Sequence, residues 1–262
     1  MIWKAALPMY NLSARLARGY EDLLTALAEE AGQVLVLGSP SDLAVFWRRP
    51  DLLLSQTCGY PYMTQLRGHV TLLATPCYDF AGCSGSDYSS VIVVRDGGGI
   101  EALADAAGRT AAVNDAHSNS GMNVLRHAVA PLARGGRFFG DVIWSGSHAA
   151  SVRMVRDGVA DVAAIDCVTY AYLAREAPDA VTGLEVLGYS ALSPGLPWIA
   201  GGGVSQELVL RLRDALLRPS ARLLERMRAL DIAGFEHRTD ADYASILAIE
   251  NEAHNAGYPE LS

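Results

Sequence analysis

Short β-rich apolar runs alternate with amphipathic helical stretches along most of the chain, and that alternation restricts the fold to an α/β architecture. Trp3 to Leu7 reads as a first strand, and Leu16, Tyr20, Leu23, Leu24 and Leu27 then follow helical spacing up to Gly32. Gln33 to Leu37, Leu52 to Leu54 and Val70 to Ala74 read as further strands, with a short helix from Tyr60 between the last two. Within Asp87 to Arg95, the run Val91-Ile92-Val93-Val94 suits a strand buried on both faces.

A second series follows the glycines at 97 to 99. A helix is predicted near Ile100 to Ala107, a strand at Thr110 to Val113, and a helix from Gly121 carrying Met122, Leu125, Val129 and Leu132. Strands at Val142 to Trp144 and Val162 to Ile165 flank a helix that Ser147 caps and Gly158 ends. A helix near Val168 to Arg175 precedes extended segments at Leu184 to Gly188 and Leu196 to Ala200. Helices from about Ser205, Pro219 and Thr239 close the chain, with Thr239 and Asp242 spaced as a capping box. The expected fold is two-lobed, with two mostly parallel sheets joined by a two-crossover hinge. Residues 1–90 and 192–262 form its first lobe, and residues 91–191 are an inserted second lobe.

Composition removes several function classes. A formal charge of −8, with no Lys/Arg cluster larger than a pair, argues against nucleic acid as a partner. Half of the residues are hydrophobic, enough for a sizeable core, yet runs such as Val70 to Ala74 fall far short of the roughly 20 residues of a membrane span. The first ten residues lack a basic segment followed by a long apolar one, so no secretory signal is expected in this chain. The expected location is periplasmic if a signal was trimmed and cytoplasmic if Met1 is the native start. The four cysteines, Cys58, Cys77, Cys83 and Cys167, form no CxxC pair, and neither a metal site nor a cofactor is predicted. They read as small buried residues, or, in an exported protein, as a bridge between Cys58 and Cys83 or between Cys77 and Cys83.

Chemistry in an open α/β sheet concentrates in the turns after the strands. After Val113 comes Asn114-Asp115-Ala116-His117-Ser118-Asn119-Ser120-Gly121, opening into a helix. A helix start presents unpaired N–H groups and a positive dipole end, and hydroxyls there add donors for the oxygens of an anion. The plainer reading is that Ser118 or Ser120 is only an N-cap. After Trp144, Ser145-Gly146-Ser147-His148 adds an imidazole at a second helix start, where Ser147 needs no more than a capping role. Asp166, after Ile165, is placed to orient His148, to accept from a ligand, or to cap the next helix.

With these segments in view, the chain resembles the phosphate/phosphonate solute-binding family of transporter components. The resemblance rests on Ser118-Asn119-Ser120-Gly121, on Gly146-Ser147-His148, on Gly158-Val159-Ala160-Asp161-Val162-Ala163-Ala164-Ile165-Asp166, and on Tyr88-Ser89-Ser90-Val91-Ile92-Val93. It covers roughly Asp51 to Ala200. It implies a type II periplasmic-binding-protein fold that traps a small anion, phosphate, phosphite or a phosphonate, between its lobes by hinge closure. Ser118, Asn119, Ser120, Gly121, Ser147, His148 and Asp166 are then site residues of one lobe. Asn119 stands where the family commonly has Thr, which exchanges a hydroxyl for an amide donor. Leu196 and Val168 fall where aminophosphonate binders carry acidic groups, which disfavours an ammonium-bearing ligand. On the other lobe, Tyr10, Gln56, Thr57 and Tyr60 occupy the turns where the family supplies an aromatic wall and polar contacts, although Tyr10 also suits ordinary packing. The implied partners are the small anion and an ABC-type permease, with the protein itself a monomer.

Two other classes compete with a transport role. His117, His148, Asp166, Cys167 and nearby serines could be assembled into a catalytic set, as in a menaquinone-pathway type of enzyme on this fold. No segment, however, carries a nucleophile elbow, a Walker loop or a metalloprotease helix. A cytoplasmic ligand sensor is the third class.

Overall fold

The computed structural model describes residues 2–262. In chain order the elements are β1 (Trp3–Ala6), α1 (Ala14–Glu30), β2 (Leu35–Leu37), α2 (Leu43–Trp47), β3 (Leu52–Gln56), α3 (Gly59–Pro61), β4 (Val70–Tyr78), β5 (Cys83–Ser84), β6 (Asp87–Tyr88), β7 (Ser90–Arg95), β8 (Thr110–Val113) and α4 (Val124–Val129). They continue with β9 (Asp141–Trp144), α5 (His148–Arg156), β10 (Val162–Asp166), α6 (Cys167–Glu176), β11 (Leu184–Tyr189), β12 (Ser193–Pro194), β13 (Trp198–Gly201), α7 (Gln206–Leu217), α8 (Ala221–Arg228), β14 (Ile232–Glu236) and α9 (Asp240–Asn255).

The chain forms two compact units. Unit 1 holds Met1–Asp79, Ser84–Asp87 and Pro194–Tyr243; unit 2 holds Phe80–Cys83, Tyr88–Ser193 and Ala244–Ser262. In unit 1 a six-stranded sheet runs β14-β4-β13-β3-β1-β2. Ser13 starts α1 by accepting the Leu16 N–H at 3.2 Å, and the buried stripe Leu16, Tyr20, Leu23, Leu24 and Leu27 follows from the helical spacing of those residues. In unit 2 a five-stranded sheet runs β11-β7-β10-β8-β9. Strand β7 is buried along Ser90 to Val94, as its unbroken apolar run predicts. β5, β6 and β12 pair as a small third sheet.

Both main sheets are mixed where mostly parallel ones were expected. β1 pairs in parallel with β2 and β3, and β8 with β9 and β10. β13 and β14 in unit 1, and β7 with both of its neighbours in unit 2, are antiparallel. A strand buried on both faces has the same composition in either direction, so apolar runs alone do not encode its sense. Residues 100–107 supply one short 3₁₀ turn, Leu103–Ala106, in place of a helix. Asp105 closes it by accepting the N–H groups of Glu101 and Ala102 at 3.1 and 2.9 Å.

The units also divide differently from the expected lobes at the C-terminus. Ala244–Ser262 belongs to unit 2, because buried polar groups there need its backbone. Asn123 donates to the Ile246 carbonyl at 3.0 Å and Arg126 to that of Pro259 at 2.8 Å. The N–H groups of Phe138 and Phe139 share the Ser262 carbonyl at 2.8 and 3.0 Å. The chain therefore passes between the units at 79/80, 83/84, 87/88, 193/194 and 243/244, where two passages, at 90/91 and 191/192, were expected.

Asn123 is fully buried. It also donates to Asn119 Oδ1 at 3.0 Å and accepts from Arg126 at 2.8 Å. Asn123→Ala should cost about 3 kcal/mol, since it leaves several buried partners unpaired, and should speed amide exchange in Ala244 to Asn255. Urea unfolding with hydrogen exchange checks both; a loss under about 0.5 kcal/mol, the size of an ordinary surface substitution, would contradict the hub role.

Candidate ligand-binding site

Parallel pairing of β8 with β9 sets Val113 opposite Trp144, so the turns after the two strands leave the same end of the unit 2 sheet. The first turn, residues 114 to 118, leads into a wide turn over Asn119–Asn123. The Asn123 N–H bonds back to the Ser118 carbonyl at 3.0 Å, which spans five residues and makes a single π turn ahead of α4. Ser118 is its cap: its Oγ accepts the Gly121 N–H at 2.9 Å. Ser120 is differently employed. Its Oγ lies 2.8 Å from Nε2 of His148 and 3.5 Å from Ser118 Oγ.

His148 is the first residue of α5, whose cap is Ser147, accepting the Ala150 N–H at 3.2 Å. The residue keeps partial exposure, while its Nδ1 is sealed from solvent. Burial of the ring pushes its pKa down to about 4, against a smaller opposing pull from the Ala164 backbone. The imidazole is therefore neutral at pH 7, with one nitrogen a donor and the other an acceptor.

Asn114, which the sequence places in the turn without marking as a site residue, joins this pair. Its Nδ2 is 3.4 Å from His148 Nε2, and its Oδ1 is buried without a partner among the described residues. Gly121 makes this approach feasible. A Cβ there would sit 1.8 Å from Asn114 Oδ1 and 3.2 Å from His148 Cε1, so only glycine leaves room for the carboxamide. The cluster of Asn114, Ser118, Ser120, Gly121 and His148 contains no cation. It offers dipolar donors, the first N–H groups of two helices, and one buried acceptor.

The model of the family described as "ABC transporter, phosphonate, periplasmic substrate-binding protein" matches residues 5–243. The chain belongs to this family. Its members are substrate-binding components of transporters. Among solved structures it is similar to a binding protein component of an ABC phosphonate transporter from Pseudomonas aeruginosa (20% identity over 98% of this chain and 87% of that one, TM-score 0.82). It is also similar to PhnD1 from Prochlorococcus marinus in complex with methylphosphonate (16% identity, 97% and 98% covered, TM-score 0.79). A histidine kinase sensor domain similar to periplasmic binding proteins matches as well (18% identity, 90% and 98% covered, TM-score 0.59). At these identities the structures show the shared periplasmic-binding-protein fold. No helix among the described residues is long and apolar enough to cross a membrane, and no group of three metal-ligating side chains occurs among them.

The remaining expected site residues of this family member divide into engaged and unengaged groups. Asn119 is fully buried, and its Nδ2 donates to Ser193 Oγ at 2.8 Å and to the Tyr88 hydroxyl at 3.4 Å. The expected amide donor is thus committed inside unit 2. Asp166 caps α6 by accepting the Thr169 N–H at 3.0 Å, the third of the roles open to it from sequence. In unit 1, Tyr10 is packed edge-on to Tyr78 at 5.5 Å and tilted toward Tyr20 at 6.5 Å. Thr57 donates to the Cys58 carbonyl at 3.2 Å, and Tyr60 is buried with its carbonyl accepting from Thr64 at 2.8 Å.

Gln56 is the exception in unit 1. It is fully buried, and neither end of its carboxamide has a partner among the described residues. Trp198, directly across the β3–β13 ladder, likewise has an unpaired, buried indole N–H. Directly paired residues share a sheet face, so two donors and an acceptor stand side by side without bonds. Buried polar groups left so are costly and usually mark a place where water or a ligand completes the set.

A depressed histidine pKa carries a pH signature. Between pH 6.5 and about 4 the unfolded chain binds the proton that folded His148 refuses, so stability present above pH 6.5 is lost as pH falls through 4. The loss from this group reaches about 3 kcal/mol. His148→Gln should flatten that limb relative to the parent, and NMR titration should give the ligand-free imidazole a pKa near 4; a value near 6.5 would show that the ring is not sealed.

Proposed function

We propose that this family member captures a small phosphoryl oxyanion, a phosphonate, phosphite or phosphate, for an ABC-type permease, and that it is monomeric and non-catalytic. The observation that carries this reading is the Ser120–His148 pair at 2.8 Å beside the unpaired Oδ1 of Asn114. In this reading His148 Nε2–H donates to Ser120 Oγ, which releases the serine hydroxyl to donate to an anionic oxygen, and the Asn114 Nδ2 group beside that nitrogen makes no bond to it and donates to the ligand as well. The first amides of the π turn and of α5 add further donors. Charge is then stabilised by fixed dipoles, which need no reorganisation on binding.

The unpaired Asn114 acceptor refines the ligand class. A fully deprotonated oxyanion such as sulfate has nothing to donate, whereas a monoanionic phosphonate or phosphite, or phosphate as its dianion, retains one P–OH. The arrangement therefore favours a ligand with both acceptors and one donor. Leu196 and Val168 are buried apolar residues, which supports a ligand without an ammonium group. The methylphosphonate in the Prochlorococcus relative supports the same class. The family's periplasmic role supports delivery to a permease.

Calorimetry with methylphosphonate, phosphite, phosphate and sulfate tests this reading. Ser120→Ala should weaken binding of the preferred phosphoryl ligand about 10- to 100-fold, because hydrogen bonds to charged oxygens are worth roughly 1.5 to 3 kcal/mol. Ser118→Ala, which removes a cap, should instead lower stability by about 1 kcal/mol. Sulfate binding as tight as phosphate, or unchanged affinity in Ser120→Ala, would overturn the proposed site.

The orphaned carboxamide gives a separate prediction in unit 1. Gln56→Leu removes two unpaired buried groups at similar volume and should leave ligand-free stability unchanged or raise it by about 1 kcal/mol. If Gln56 also contacts the solute, affinity falls in the same variant; thermal melts with and without methylphosphonate read both.

A further inference from the structure

Cys83 and Cys167 lie 84 residues apart in sequence, yet their sulfurs are 3.4 Å apart within unit 2. The bridges raised from sequence joined Cys83 to Cys58 or to Cys77; the structure presents a different partner. Cys83 ends the four-residue segment Phe80–Cys83 that unit 2 holds between two stretches of unit 1. That segment is clasped at both ends. The Phe80 ring packs edge-on to Tyr172 of α6 at 5.2 Å, with the Arg175 guanidinium over both rings. The Gly82 carbonyl accepts from the N–H and the hydroxyl of Ser89, each at 2.9 Å.

Gly82 shows how closely the segment is seated. Its φ is +90, and a Cβ there would lie 2.8 Å from Ser89 Oγ and 3.0 Å from the Cβ of Cys167. The loop thus approaches the start of α6 at a distance that only glycine permits. Cys167 is buried, while Cys83 is partly exposed. Contact with Cys83, burial and the Asp166 carboxylate all hold the Cys167 thiol in its protonated form.

We propose that Cys83 and Cys167 are a reversible disulfide site, closed by thiol–disulfide exchange with a small external disulfide. Cys83, the accessible member, attacks as its thiolate, breaking the S–S bond of the external disulfide and forming a mixed disulfide while one small thiolate leaves. That thiolate takes the proton of Cys167, whose sulfur then attacks Cys83 Sγ. The mixed bond breaks, the Cys83–Cys167 bond forms, and the second small thiolate leaves. The protein loses two protons and two electrons, and the external disulfide is reduced to two thiols. Disulfides persist in the oxidising periplasm, the compartment of the family. The bridge would tie the Phe80–Cys83 segment to α6 and close a long loop, the kind that most restricts the unfolded chain.

The test uses the full chain and oxidised glutathione as the probe. Intact mass after exposure should fall by two hydrogens, peptide mapping should join the Cys83 and Cys167 peptides, and the melting temperature should rise by several degrees and return with reductant. Cys167→Ser should stop at a glutathione adduct on Cys83, because the resolving thiol is gone; Cys83→Ser should leave Cys167 unmodified. Two free, alkylatable thiols after exposure, or a bridge joining Cys83 to Cys58 or Cys77, would overturn the proposal.

Discussion

The buried amide chain from Ser193 through Asn119 and Asn123 to the Ile246 carbonyl is the constraint on which unit 2 depends. Each carboxamide there satisfies groups that would otherwise be unpaired in the interior, and together they fix the π turn at its width. An α turn would advance each residue by a different angle and would not carry the Ser120 hydroxyl to His148. Fully satisfied buried networks specify geometry because every alternative leaves a donor or acceptor exposed to a low-dielectric interior. Asn119 thus holds the turn that presents Ser120 in the proposed site.

The site so held contains no cation, and this shapes what it can distinguish. A lysine or arginine would attract any anion from a distance and would discriminate little between phosphoryl and sulfuryl groups. Dipolar donors act only at contact and in fixed directions, so the pattern of donors and acceptors on the ligand decides the fit. A neutral His148 belongs to the same logic. With its Nδ1 sealed from solvent, it adds a directional N–H without adding a charge that needs its own compensation.

Much of this was legible in the sequence, for identifiable reasons. The Ser118 to Gly121 and Gly146 to His148 segments stand out because strand-end turns at helix starts are where donors collect, and the resemblance to the transporter family rests on the same residues. What remained closed was anything fixed by distant partners. Which serine caps and which one faces the imidazole depends on the width of the turn, and nothing local encodes a π turn. Asn114 was passed over because its importance comes from the missing side chain of Gly121. β14 was missed because Ala233 and Gly234 interrupt its apolar pattern. Gln56 stands out by its place at the end of β3, but the lack of a partner for its carboxamide among the described residues is a property of its neighbours.

Two consecutive serines tie these features together. Ser89 holds the Gly82 carbonyl through its N–H and hydroxyl, and its own carbonyl accepts the Cys167 N–H at 3.1 Å. Ser90 begins β7 opposite Asp166 and donates its hydroxyl to the Ser120 carbonyl at 2.8 Å. Successive residues of an extended segment point to opposite sides, so one serine references the thiol pair and the next references the anion turn. A shift of the Phe80–Cys83 segment must be absorbed at Ser89, one peptide unit from the group that positions Ser120. The interior is close-packed there, with Ser89, Ser90 and Ser120 all buried, and small displacements in such packing are passed on to neighbours more readily than they are absorbed by compression. The entry to β7 is therefore the place where the Cys83–Cys167 thiol pair and the turn of the proposed site share a common frame.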